Sequence, residues 1–235
     1  MSENHEHSQE SSFWQEAAGG PVDVRRLTSG RPFCAGVLIV REGRLLVTLS
    51  AEDISAAEAS GTDWNVGGVG GGQEPGEEVW DCAAREGFEE LGVQVRLLSS
   101  PRTYLHDIDG DLLRRSRSDD RPAPFMLQRQ RNADAATPYK PGLPAGPFTY
   151  LCMFAAELAE EPASFKPDDP DIAALVWMPL SDWGVLDKAP TFARLSELGA
   201  TIAAGGPIAE DARVHLPSAE TLRVAGPLLA RGFEG

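Results

Sequence analysis

At 235 residues, 42% of them hydrophobic, the chain is long enough for one domain with appendages and too short for two full ones, which excludes disordered and fibrous classes. Its 21 Lys and Arg against 36 Asp and Glu leave a formal net charge of −15, which excludes general coating of nucleic acid. No run approaches the roughly 18 apolar residues of a membrane span, and the N-terminal MSENHEHSQESS lacks the basic start and apolar middle of a signal peptide, so a cytoplasmic protein with no membrane partner is expected.

Residues 1–30 are polar and read as a tail that gains order near Phe13 and Trp14. Cys34 to Val40 and Leu45 to Leu49 are short apolar, β-branched runs separated by Arg-Glu-Gly-Arg, the pattern of two strands joined in a hairpin. After an acidic, Ala-rich stretch at 51–63, five glycines fall in the six positions 67–72, where no regular element is expected. Glu77 to Leu91 reads as a helix with Val79, Ala83 and Leu91 facing inward and Gly92 as a left-handed cap. Strands follow at Val93 to Leu98 and Thr103 to Ile108.

Residues 109–147, with six Arg and six Pro, read as a long loop insertion. Strand signals return at Phe148 to Leu158 and Ala173 to Met178, around the acidic linker PDDPD at 167–171. The remaining residues, 186–235, read as a helical extension packed on the same domain, with helices near Thr191 to Leu198 and Ala219 to Ala225. Ser218 is the expected N-cap of the second, and Gly226-Pro227 its stop. Cys34, Cys82 and Cys152 are odd in number, far apart and without CxxC spacing, so inert buried thiols are expected in preference to disulfides or a zinc site.

The predicted helix breaks a local rule. Glu86, Glu89 and Glu90 crowd its last turns at spacings of three and four, where like charges repel, and they stand at the electronegative end of the helix dipole. A bound hard cation, Mg²⁺ or Mn²⁺, would reverse the sign of both effects, and the adjoining glycine loop can offer backbone groups to the same site. No Gly-Lys-Ser/Thr follows the glycines, so this is not a Walker loop, and no three spaced glycines with a distal acid mark a dinucleotide fold.

Residues 71–93, GGQEPGEEVWDCAAREGFEELGV, resemble the Nudix box, G-x5-E-x7-R-E-U-x-E-E-x-G-U with U aliphatic. Eight of its nine defined positions agree: Gly71, Glu77, Arg85, Glu86, Glu89, Glu90, Gly92 and Val93. The exception is Gly87, where an aliphatic side chain is expected; Phe88 or Trp80 is the expected filler of that space. The resemblance is loose over about 33–180 and touches neither the tail nor roughly the last 50 residues.

What the resemblance implies is an α/β fold, the Nudix-type α/β/α sandwich, in which a mixed β-sheet is covered by helices, here with the domain at residues 31–185. It further implies divalent-metal-dependent hydrolysis of a pyrophosphate linkage in a nucleoside diphosphate derivative by activated water. Glu86, Glu89, Glu90 and the carbonyl of Gly70 would be metal ligands. Arg85, paired with Glu77 or Glu86, would hold the carboxylates in place. Asp171 stands where many relatives carry a further acid, although a solvated linker explains it as well.

Arg114, Arg115, Arg117 and Arg121 form a basic cluster that could grip substrate phosphates or pair with Asp107, Asp109, Asp111, Asp119 and Asp120. Tyr104, Phe125 and Tyr139 are expected in packing, and His106 in a strand or at the surface. The expected partner is a small nucleotide substrate, and the late helices offer a homodimer contact or a cover for the sheet. Two alternatives stand beside the hydrolase: a ligand-sensing module that keeps the fold without hydrolysis, and an enzyme acting on RNA 5′ ends. The substrate within the nucleoside diphosphate derivatives is left open.

Overall fold

A computed structural model describes residues 21–51, 63–160 and 164–232. The expectations for the tail about Phe13 and Trp14, and for most of the Ala-rich stretch, lie outside the described residues.

The chain divides into two compact units. One takes the described residues up to Ala35 with Gly72–Cys82 and Leu97–Ala155; the other takes Gly36–Gly71, Ala83–Arg96 and the described residues from Ala156 on. Strands in both parallel and antiparallel pairing occur together with helices, so the fold is the expected mixed α/β type.

In the second unit, β1 (Phe33–Arg41) and β2 (Arg44–Ser50) form the expected hairpin, with Val40 opposite Leu45 and Glu42 and Gly43 in the left-handed conformation the tight turn requires. β2 is buried along its length because both of its edges are taken. β10 (Ile172–Pro179) pairs it on one side, and the chain at β3 (Trp64–Gly67) pairs it on the other. Leu45, Leu46, Val47, Leu49, Leu175 and Val176 fill the core there.

The glycine-rich segment departs from expectation, since it forms β3 and β4 (Val69–Gly72). Glycine is needed here for close backbone approach: a Cβ on Gly36 would fall 2.2 Å from the carbonyl oxygen of Val69. Small residues weaken a strand in isolation, but the ladder closes because two backbones can come together.

In the first unit the strands run in the order β9 (Phe148–Leu158), β8 (Met126–Arg131), β6 (Thr103–Asp107), β7 (Leu112–Ser116). Both β7 and β8 lie inside 109–147, which therefore is not one long loop. Their period was hidden because β7 is exposed almost throughout, while β8 (MLQRQR) buries Gln128, Arg129 and Gln130. Two of these polar side chains are accounted for by their partners: Arg129 pairs with Asp107 at 2.5 Å and lies 4.4 Å over the Phe148 ring, and Gln128 meets His106 Nδ1 at 2.7 Å. His106 is thus a buried strand residue.

After β10 the chain is only partly helical. A 3-10 turn at Trp183–Lys188 and α3 (Phe192–Glu197, capped by Thr191) are followed by β11 (Thr201–Gly205) and β12 (Val214–His215). The last helix, α4 (Leu222–Ala230), begins after Thr221, not Ser218, and runs through Pro227. Tertiary packing overrides the breaker, because Gly226 lies so close to the Trp183 ring that a Cβ would meet it at 2.1 Å, and Leu222, Ala225 and Leu229 are buried. All three cysteines are free and buried, as expected. Among the described residues no helix is long and apolar enough to cross a membrane.

Candidate active site

The site is built on α2 (Val79–Leu91), which starts two residues later than the sequence suggests. The turn at Glu74 to Glu77, with Gly76 left-handed, occupies the intervening positions. α2 stops as expected: Gly92 adopts φ +67° and its N–H donates to the Phe88 carbonyl at 2.7 Å.

Val79, Cys82 and Ala83 are fully buried, and the same helical stripe, continued by three and four residues, carries Glu86 and Glu90 inward. Glu90 is only 7% exposed, whereas the Glu89 side chain stands 47% exposed. Two carboxylates thus occupy positions where an amphipathic helix normally carries apolar groups. Burying an ionised carboxylate is costly unless hydrogen bonds or opposite charge compensate it.

Two kinds of compensation are visible within the second unit. The N–H of Gly70 donates to Glu90 Oε2 at 3.2 Å. Arg85 bridges the other two acids, its Nη1 lying 2.7 Å from Glu86 Oε1 and 2.8 Å from Glu89 Oε2. The expected Arg85 pairing with Glu86 is therefore present, and Arg85 holds Glu89 as well. Glu77 accepts a hydrogen bond from the Glu74 N–H at 2.9 Å, fixing the turn that precedes the helix.

Gly71 cradles Glu86. A Cβ at position 71 would lie 2.3 Å from Glu86 Oε2, so only glycine leaves room for this carboxylate against β4. Gly87 is buried, and its missing side chain is replaced by Val95, whose Cγ2 would be 2.9 Å from an added Cβ, with Val37 beyond it. Phe88, expected as a filler, is instead 45% exposed, and the other expected filler, Trp80, donates from its indole N–H to the Pro122 carbonyl.

The acidic linker runs past the C-terminal end of α2. Lys166 donates from its N–H to the Leu91 carbonyl at 3.0 Å and Asp168 to that of Glu89 at 2.9 Å, satisfying carbonyls the helix leaves open. Asp171 is exposed, and its N–H donates to Asp169 Oδ1 at 2.8 Å. Of the linker acids, it is Asp168 whose backbone lies against Glu89.

The donor set fits a hard divalent cation: three carboxylates on adjacent turns, one seated in a cradle that a Cβ would fill, with the backbone of Gly70 beside another. Among the described residues no three His, Cys, Asp or Glu side chains close on one point, and Glu86 and Glu89 are held by Arg85.

Arg114, Arg115 and Arg117 belong to the first unit, on β7 and just past its end, and all three are exposed. Tyr104 packs against Phe125 with ring centroids 5.2 Å apart, as expected of packing residues, while Tyr139 is 39% exposed.

The NUDIX domain family profile matches residues 30–197, more than half of the chain, and the chain belongs to the NUDIX hydrolase family. The match runs beyond residue 185, through α3. Similar solved structures include a NUDIX hydrolase from Nitrosomonas europaea, 12% identical, covering 67% of this chain and 78% of its own with a TM-score of 0.40. An ADP-ribose pyrophosphatase from Streptococcus suis is 14% identical, with coverage of 64% and 75% and a TM-score of 0.37. A MutT NUDIX hydrolase from Burkholderia pseudomallei is 23% identical, with coverage of 65% and 85% and a TM-score of 0.35. No curated protein sequence matches this one.

Proposed function

We propose that the protein hydrolyses a pyrophosphate linkage in a nucleoside diphosphate derivative, using a divalent cation held by Glu86, Glu89, Glu90 and the Gly70 carbonyl. The observation that carries this reading is the inward placement of Glu86 and Glu90 on α2, each fitted against glycine backbone at 70–71. Nothing in the packing of a helix rewards two acids there. A cation does, and Mg²⁺ or Mn²⁺ bound there would neutralise pyrophosphate charge and lower the pKa of water.

The protein's own contribution is positional. Arg85 orients Glu86 and Glu89, Gly71 leaves space for the Glu86 carboxylate, and the Gly70 N–H sets the direction of Glu90. Asp171 is read as the base or a further ligand, with Asp168 as its nearest competitor for that role. The substrate class remains nucleoside diphosphate derivatives, and turnover of a panel of these with Mg²⁺, followed by phosphate detection, tests the reading. Loss of activity in EDTA and recovery with excess metal is the expected result.

A further inference from the structure

The carbonyls of a helix's last turn have no partner within the helix, and in α2 that turn carries Glu89 and Glu90. Left open, those carbonyls add to the negative end of the helix dipole beside two carboxylates, and an uncapped last turn frays. Within the second unit the carbonyls on either side of Glu90 are both taken from outside the helix. The Lys166 N–H donates to the Leu91 carbonyl at 3.0 Å and the Asp168 N–H to the Glu89 carbonyl at 2.9 Å.

The linker that supplies these donors is itself fastened on both sides. Phe165 packs against Trp177 of β10 with ring centroids 6.3 Å apart. Beyond Asp168, the Ile172 N–H donates to the Asp169 carbonyl at 3.2 Å, and Ile172 opens β10 opposite Ser50 of β2. The fit against the helix end is close, since a Cβ on Gly92 would stand 2.4 Å from the Lys166 carbonyl oxygen. Charge works against this contact: residues 164–171 hold Asp168, Asp169 and Asp171 against the single base Lys166, at the electronegative end of a helix that already bears Glu89 and Glu90. Backbone hydrogen bonds and a glycine hold the linker there against that repulsion.

We propose that the linker at 166–168 is a positioning strap for the metal ligands. By holding the carbonyls of Glu89 and Leu91 it keeps the last turn of α2 wound, and so sets the Glu89 and Glu90 carboxylates for a divalent cation. The inference rests on the metal-binding reading above. Coupling between two binding events is reciprocal, so a strap that raises cation affinity when attached is tightened by the same factor when the cation binds. Neutralising Glu89 and Glu90 beside the linker acids supplies that coupling. A cap that served the fold alone would not respond to metal.

The test measures the factor from both sides in the full chain. Hydrogen exchange followed by NMR should find the amides of Lys166 and Asp168 protected without metal, and Mg²⁺ should slow both at least about threefold relative to the amides of α3. In calorimetric titration, Lys166→Pro should bind Mg²⁺ at least about threefold more weakly than Lys166→Ala, which removes the same charge but keeps the N–H. Thermal melts establish that both variants are folded, and the exchange measurement needs no variant, so it decides the matter where proline unfolds the chain. Absence of Mg²⁺ binding in the parent refutes the metal reading and the strap with it. The strap alone is overturned where the parent binds Mg²⁺ but the two Lys166 variants bind it equally, or where bound Mg²⁺ leaves exchange at 166 and 168 unchanged.

Discussion

The Glu86 carboxylate lies where the Cβ of any residue other than glycine at position 71 would sit, 2.3 Å from Oε2. This ties the first glycine of the box to its second carboxylate by close approach, so that loop and helix act together. Gly71→Ala should therefore displace a flexible side-chain end at small cost in stability while moving a proposed metal ligand. We expect kcat to fall by at least about tenfold with a melting temperature close to that of the parent. Kinetics beside a thermal melt decide it, and a large loss of stability would show that β4 itself needs glycine for its backbone.

Arg85 acts on the same carboxylates from the other side. Removing it as Arg85→Gln leaves Glu86 and Glu89 repelling each other one turn apart. In EDTA the variant should be less stable by roughly 1 kcal/mol or less, the range for partly exposed ion pairs. Added Mn²⁺ should restore the melt by more than it raises that of the parent, because the cation takes over the charge that Arg85 supplied. Equal metal effects on both proteins would contradict this role.

The box glycines within α2 and just past its end should respond differently. Gly92 combines φ +67° with an approach that would put a Cβ 2.4 Å from the Lys166 carbonyl oxygen, so Gly92→Ala should cost more than about 1 kcal/mol. At Gly87 the gain of about 1 kcal/mol in helix propensity competes with a contact at 2.9 Å to Val95 Cγ2. We expect Gly87→Ala to be destabilising alone and to couple favourably with Val95→Ala in a double-mutant cycle. Additive effects in denaturant melts would remove Val95 as the reason glycine stands there.

Burial pushes the Cys152 thiol well above its ordinary range, with the Asp120 charge adding to the effect. Its protonated form is therefore favoured in the folded protein, and stability is lost as pH rises above the ordinary thiol pKa, because only the unfolded chain then releases this proton. With Cys34 and Cys82 also buried, none of the three should react with a thiol reagent at neutral pH until denaturant is added. Rapid labelling of the native protein would contradict this packing.

The box helix, its glycine cap and the apolar strands could be read from the chain because their signals are local: Val79, Ala83 and Leu91 follow the helical period, and Cys34 to Val40 is a β-branched run. β4 could not, since a strand of Val69 and three glycines exists only where another backbone approaches it. β8 was hidden for a related reason: its Gln128 and Arg129 are met by His106, Asp107 and Phe148, partners on other strands. In the site, the acid spacing disclosed Glu86, Glu89 and Glu90, but not that Glu89 faces outward while the other two face in.

The most direct test of the account is the metal requirement of the buried carboxylate. Hydrolysis of the nucleoside diphosphate panel should depend on Mg²⁺ or Mn²⁺ in the parent and fall by about a hundredfold or more in Glu90→Gln, with Mn²⁺ affinity reduced in parallel by titration and the fold retained. Near-normal turnover and unchanged Mn²⁺ binding in a folded Glu90→Gln protein would contradict the account, because the one carboxylate that the fold buries against Gly70 would then serve neither metal nor chemistry.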